Sequence, residues 1–439
     1  MSAEAARHDP WMALRQPNFR YISVGRLASA MAATLLQATI FWQIYNISKS
    51  EYQLALLGVA QFLPSLGLSL VGGAVADRYD RRVVSIAAQL VMAACGAVLF
   101  LSTADGDVST FWIYATALVL GVAGAFEWPA RSALLPVLVT REAFPNAITV
   151  SSTVQQLGFV TGPAIAGFAI AFKGPELSYL IYTGLFAFSI LTFFFIRPLP
   201  LDAPKRGVSV AAIQEGVRFV WSRKAILGAM TLDMFAVIFG GAAALLPVYA
   251  ADILEVGDFG YGLLAASLDA GAFITSIALV VFPPIRNTGR ALTITVAFYG
   301  LATIAFGLSR SFPLSLAAYA LIGVADQVSV VCRQTIIQLN TPDELRGRVT
   351  SVNMLFIGAS NRLGAVESGV VAGLTNATFA VVSGGIGCLA VLGIVSRTMP
   401  DLRRYRLGDS VDSTASPLAE QVAEAVETEE GLGTATSAT

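Results

Sequence analysis

A chain of 439 residues that is 55% hydrophobic and only 13% charged, with a mean hydropathy of +0.69, has too little polar material to cover a soluble surface of its size. A net charge of −1 with no basic patch argues against a nucleic-acid partner. Three cysteines in separate apolar runs (Cys95, Cys332 and Cys388) and a single histidine, His8, argue against a disulfide framework and a zinc site.

In chain order, apolar runs of about 20 residues predict an all-α polytopic membrane protein with twelve spans. The first half has spans near 21–47, 54–76, 83–104, 111–130, 146–172 and 177–197, and the second near 225–251, 260–284, 290–309, 312–333, 349–374 and 376–397. The segment 1–20 is polar, so the first span itself is expected to target the chain to the membrane. Between spans two and three the segment 73–82 holds Gly73, Asp77, Arg78, Asp80, Arg81 and Arg82. Five charges so close together require water, and Gly73 is expected to let two helices approach just before the turn. A polar connection, 198–224, carries Val210, Ile213, Val217, Val220 and Trp221 at helical spacing with Arg218, Arg223 and Lys224 between them. That pattern predicts an amphipathic helix tethering a half at 21–197 to a half at 225–400. The tail, 401–439, is acidic after Arg406 and is expected to be disordered.

Basic residues fall mostly on one side if both termini are cytosolic: only Lys49, Lys173 and Arg310 lie in the opposite loops, whereas Arg131, Arg333 and the clusters at 78–82 and 397–406 are assigned to the cytosolic side. Internal similarity reinforces the division into halves. Gly121, Val122, Ala123 and Arg131 recur as Gly323, Val324, Ala325 and Arg333 at an offset of 202, and Gly58, Gly67 and Arg82 recur as Gly262, Gly271 and Arg286 at 204. Two six-helix units related by an axis along the membrane normal are a transporter architecture, with the substrate site near the midplane between them.

Charged side chains inside a span are costly, so each is a candidate for function. Asp233, Asp269, Asp326, Arg362 and Glu367 lie deep in the second half, and Arg26 lies about two turns into span one. Arg362 and Glu367 are about 140° apart on a helix and need separate partners. Glu127 and Arg131, four apart, read as an ion pair at the inner mouth of span four. Spans three, six, nine and twelve carry no interior charge. Aromatic residues such as Phe41, Trp42, Tyr45, Phe235, Phe239 and Tyr249 fit a cavity lining or helix packing equally well.

The 73–82 segment resembles motif A of the major facilitator superfamily, G-x-x-x-D-R-x-x-R-[RK], with Asp80 in place of the usual second glycine. Gly158, Gly162, Pro163 and Gly167 resemble motif C on span five, which the superfamily associates with exporters. The stretch 341–349, T-P-D-E-L-R-G-R-V, is similar to the subgroup of enterobactin exporters and drug efflux proteins. The resemblance covers roughly 18–400 and implies alternating access, with motif A gating the cytosolic mouth against the start of span eleven. Ala117 stands where drug:proton antiporters of the superfamily carry an arginine, which leaves that route for proton coupling without its residue.

The expected activity is secondary active export of a small amphiphile, drug-like or siderophore-like, across the cell (inner) membrane. A dedicated metabolite exporter, an importer and a non-transporting sensor on the same scaffold remain open alternatives. Protons are the expected coupling ion, the bilayer and the substrate the expected partners, and the monomer the expected state. Neither a cofactor nor an enzymatic activity is expected, since no Gly-Lys dipeptide for a phosphate loop and no second histidine occur.

Overall fold

The structure is a computed structural model and describes residues 12–105, 109–140, 142–196, 210–240, 242–281, 285 and 287–405. Six long helices form the first half: α1 (Pro17–Ser48), α2 (Glu51–Arg78), α3 (Arg81–Ala104), α4 (Thr110–Leu138), α5 (Phe144–Lys173) and α6 (Pro175–Phe194). The connecting helix α7 (Val210–Ser222) precedes α8 (Lys224–Phe239), α9 (Gly257–Val281), α10 (Thr288–Leu308), α11 (Phe312–Leu339), α12 (Asp343–Leu374) and α13 (Ala377–Thr398). Among the described residues ten helical stretches are long and apolar enough to cross a membrane; α2 and α12 are not among them. These two have 28 and 32 residues. Asn353, Ser360, Arg362, Glu367 and Ser368 lower the hydropathy of α12, and Asn353, Ser360 and Ser368 are buried. The acidic tail beyond Tyr405 lies outside the described residues.

Four boundaries depart from expectation. The apolar runs place the end of the fourth span near residue 130 and that of the tenth near 333, but α4 runs through Pro129 and Pro136 to Leu138, and α11 likewise continues past Arg333 to Leu339. Arg131 and Arg333 are therefore buried helix residues, 9% and 3% exposed, and not loop charges. The seventh span is broken: α8 stops at Gly240, and the chain continues through a 3-10 turn (Ala242–Leu245), a short α-turn and a π-helical turn (Tyr249–Ile253). Tyr299 donates a hydrogen bond to the freed Gly240 carbonyl at 3.4 Å, the kind of partner an interrupted helix requires in a membrane. The motif A turn is shorter than the charged stretch suggests, since helix persists to Arg78 and resumes at Arg81. Asp80 caps α3 by accepting the Arg82 backbone N–H at 2.8 Å, which explains an aspartate where related sequences place glycine.

Close helix contacts follow the repeat. In the first half Gly121 of α4 abuts the Gln61 carbonyl of α2, and Gly72 of α2 abuts Ala125 of α4. Gly323 of α11 and Gly271 of α9 make the corresponding contacts with Leu268 and Ala320. Gly73 faces open space, so the close approach expected of it belongs to Gly72. The helices without interior charge, α3, α6, α10 and α13, pack within their own halves and turn Leu101, Phe188, Leu301 and Ile386 outward.

Among the described residues the two most extensive helix contacts between the halves are α2 with α12 and α5 with α9, and the repeat pair Gly58 and Gly262 lies at both. Gly58 of α2 meets Ala365 and Val366 of α12, while Gly262 of α9 meets the backbone of Gly167 on α5. Both sit toward the end of the bundle that carries Lys49, Lys173 and Arg310, here called the Arg-poor end. One continuous core there includes Leu35 and Trp42 from the first half with Tyr249, Tyr261 and Phe306 from the second. Toward the Arg-rich end the cores separate. Phe19, Ile22, Leu134 and Phe193 pack in the first half, whereas Leu232, Leu292, Ile336 and Val395 pack in the second.

The connecting helix does more than tether. Phe219 and Val220 of α7 pack with Leu345 and Val349 of α12, Gly216 abuts the Arg348 backbone, and Glu215 pairs with Arg348 at 2.5 Å. Val217 and Trp221, on adjacent turns, are 36% and 67% exposed. The helix is thus docked on the second half with a separate apolar stripe facing outward; the side chains of Val210 and Ile213 lie outside the described residues.

Candidate functional site

Between the shared core and the Arg-rich end lies a layer of charged and amide side chains contributed by both halves. Arg131 of α4 pairs with Glu127 one turn away and donates to the Ser29 hydroxyl of α1; Gln89 of α3 donates to Glu127 at 3.4 Å. The expected pair therefore exists, but as a buried network binding three helices. Arg333 of α11 reaches Asp233 of α8 at 3.0 Å and Asn353 of α12 at 3.2 Å. Asp233 and Asn353 are 5% and 1% exposed. Ser29 and Asp233 stand 204 positions apart, the offset that relates Gly58 to Gly262. Each half thus uses its repeat arginine to clasp its own first helix.

Sequence reading places Arg333 in a loop and so misses it as a site residue, although its repeat partner Arg131 is a candidate. With Arg333 included, the deep charges described in the second half are the acids Asp233, Asp269, Asp326 and Glu367 and the arginines Arg333 and Arg362. The remaining charges have weaker partners. Arg26 of α1 donates to the Gln155 side chain of α5 and lies within electrostatic reach of Arg131 and Glu127. Arg362 of α12 donates to Gln61 of α2 at 2.8 Å. Asp269 of α9 accepts from Gln156 of α5 at 3.5 Å. Among the described residues Glu367 accepts only from its neighbour Ser368, at 3.2 Å, so Arg362 and Glu367 have separate partners, as their spacing requires. Nothing in the sequence pattern singled out the glutamines, which are neutral and common in loops.

Asp326 of α11 stands apart. It is half-buried, feels the charges of Asp233, Arg333 and Asp269, and makes no hydrogen bond or ion pair among the described residues. Arg333 is seven residues further along α11, two turns on the same face, and a helical side chain leans toward its helix N-terminus, here toward Asp326. One guanidinium is therefore bonded to Asp233 and within electrostatic reach of a second carboxylate, Asp326.

The motif residues divide by role. Gly158 and Gly162 of α5 seat it against Ala30, Met31 and Thr34 of α1, while Gly167 and the Pro163 carbonyl meet Gly262 across the halves. Arg81 donates to the Ala133 carbonyl of α4 at 3.1 Å, tying the motif A turn to its own half. Arg78 is exposed, Arg82 half-buried, and Tyr79 57% exposed. The side chains of Asp77, Asp343 and Glu344 lie outside the described residues. Most of the aromatic candidates belong to the shared core and not to a cavity wall. Trp42 stacks on Tyr261 at 4.7 Å, Tyr45 donates to Asp252, and Tyr249 stacks on Phe306 at 4.6 Å. Phe235 and Phe239 stack on each other at 6.1 Å and stay half-buried.

Two repeated helical halves, closed against each other at one end and separate at the other, with charges between them at mid-depth, define a membrane transporter of the major facilitator type. The chain belongs to the transmembrane secretion effector family, whose profile matches residues 8–434. It is 27% identical to the multidrug efflux pump Tap of Mycolicibacterium fortuitum over 380 residues, 83% of this chain and 91% of that one. It is 26% identical to the enterobactin exporter EntS of Escherichia coli O1:K1 / APEC over 398 residues, 89% and 94% of the two chains. In fold it is similar to an inward-facing bacterial homolog of the human lysosomal transporter Spinster (TM-score 0.70, 14% identity, covering 90% and 98%). A POT family transporter solved with 5-aminolevulinic acid gives TM-score 0.70 at 11% identity, covering 88% and 96%. The protein is accordingly a multi-pass inner-membrane transporter.

Proposed function

We propose that this chain exports small amphiphilic molecules, drug-like or siderophore-like, by alternating access of its two halves, driven by exchange for protons. One observation carries the reading: the halves share a core at the Arg-poor end and part at the other, with unmatched charges between them. A carrier open to the side from which it loads has that form. The names of Tap and EntS support outward transport of such molecules. The Arg-rich end is the cytosolic one, both termini included, by the distribution of basic residues. In this reading α2 and α12 complete twelve spans, the monomer suffices, and no catalytic step is involved.

Reporters fused after residues 80 and 405 are expected to read cytosolic, and one near residue 106 external. An external reading at 405 would contradict the orientation. Motif A is expected to close the cytosolic mouth in the opposite state, which supports a prediction that Asp77→Asn lowers flux without loss of protein from the membrane.

Asp326 is the proposed proton carrier, with Asp233 competing for the same arginine. Asp326→Asn keeps the side chain's size and hydrogen-bonding capacity but removes the titratable proton. In proteoliposomes with an imposed pH gradient, the variant is expected to lose uphill, protonophore-sensitive flux while retaining downhill exchange. Uphill flux at the wild-type rate would remove Asp326 from coupling, and Asp233, Asp269 and Glu367 would be tested in turn.

A further inference from the structure

Among the described residues two polar contacts cross between the halves within the charged layer, and they share a pattern. Each pairs an ionised side chain on the second half with a neutral glutamine on the first: Arg362 with Gln61, at 2.8 Å, and Asp269 with Gln156, at 3.5 Å. Neither charge has an opposite charge as its partner. Among the described residues Arg362 makes no other hydrogen bond or ion pair, and Asp326, within electrostatic reach of Asp269, makes none. Arg131 and Arg333 have carboxylate partners, but Arg26 is likewise held by a glutamine, Gln155, the residue next to Gln156 on α5.

An amide satisfies the geometry of a guanidinium or carboxylate but supplies no counter-charge. A hydrogen bond between two ionised groups is shorter and roughly twice as strong as one between neutral groups. In a low-dielectric layer the difference widens. A ligand bearing a carboxylate or phenolate therefore outcompetes Gln61 for Arg362, and one bearing an ammonium outcompetes Gln156 for Asp269, with Asp326 adding a second negative charge. Both glutamines also bridge the halves, so displacing them loosens the closed end just below the Gly58 and Gly262 contacts.

We propose, resting on the transporter reading above, that Gln61 and Gln156 are placeholders which an amphoteric substrate displaces, its acidic group going to Arg362 and its basic group to Asp269 and Asp326. The site thus selects molecules carrying both charges over those carrying one, and binding itself releases two of the links between the halves.

Three probes with one fluorophore test this: dansylcadaverine (cationic), dansylglycine (anionic) and α-dansyl-lysine (both charges, its carboxylate and side-chain ammonium separated by a four-carbon chain as two sites on different helix pairs require), titrated onto the purified full chain. The zwitterion is expected to bind about tenfold tighter than either single-charge probe. Gln61→Ala is expected to tighten the two carboxylate probes and leave dansylcadaverine unchanged, and Gln156→Ala to tighten the two ammonium probes. Gln61→Glu, which gives Arg362 a permanent counter-charge, is expected to erase the preference for a carboxylate. Equal wild-type affinities for the three probes, or weaker binding of every probe in both alanine variants, would overturn the proposal. Should an alanine variant fail to fold, the wild-type series and Gln61→Glu still decide. Flux of the same probes into proteoliposomes reports separately: transport without charge preference overturns only this inference, and binding without transport overturns the transporter reading.

Discussion

Arg333→Ala is expected to destabilise the second half by about 3–5 kcal/mol, the usual loss when one partner of a buried ion pair is removed and the other charge stays. Asp233 and Asn353 sit 5% and 1% exposed, and Arg333 is the only cation bonded to Asp233 among the described residues. Three helices, α8, α11 and α12, meet at that guanidinium, so the loss extends beyond one contact. Thermal unfolding of the purified protein, followed by the fraction remaining monodisperse after heating, measures it. The double variant Asp233→Leu/Arg333→Met is expected to recover much of the stability while abolishing transport, because apolar residues of similar size restore packing without an unpaired charge. Arg131→Ala is expected to cost less, since Glu127 keeps its bond from Gln89. An unchanged melting temperature for Arg333→Ala would mean that the pair contributes nothing to the fold.

The second large effect is expected at Gly262. A side chain there strikes the Gly167 backbone and the Pro163 carbonyl, neither of which can give way as a flexible side chain would. Gly262→Leu is therefore expected to wedge α5 from α9 and hold the Arg-poor end open, reducing flux to background while the protein still inserts and purifies. Labelling separates this outcome from misfolding. A cysteine at Ala38, whose carbonyl accepts from Tyr261 at 2.8 Å in the closed end, should become reactive to an impermeant thiol reagent only in the Gly262→Leu background. Gly73→Ala, by contrast, meets open space and is expected to leave packing intact. Wild-type flux in Gly262→Leu would show that the end need not close as tightly as it does here.

Much of this architecture is legible in the sequence. Hydrophobic runs mark the helices because lipid permits few alternatives, and the repeat at offsets of 202 and 204 fixes the halves because duplicated glycines must pack alike. Gly58 and Gly262 recur for that reason, and both lie at the contacts between the halves. The charged layer is only partly legible. Asp233, Asp269, Asp326 and Arg362 stand out against apolar neighbours, whereas Gln61, Gln155 and Gln156 do not, since their role comes from partners on other helices. Arg131 and Arg333 were misplaced for a physical reason. An apolar run ends at an arginine, whereas a helix continues past one whose charge is met by a buried acid, as Glu127 meets Arg131 and Asp233 meets Arg333. The break at Gly240 was readable in principle from the Gly240-Gly241 pair, but the apolar run continues across it.

Rocking of the two halves is tested most directly by stapling the closed end. Gly58 and Ala365 face each other across α2 and α12, and a Cβ built at Gly58 lies 3.3 Å from that of Ala365, near the spacing a disulfide adopts. Cysteines at these positions are introduced after replacing the buried Cys95, Cys332 and Cys388 by alanine. Oxidation is expected to form the cross-link and stop substrate flux in proteoliposomes, and reduction to restore it. Undiminished flux through fully cross-linked protein would contradict alternating access between these halves.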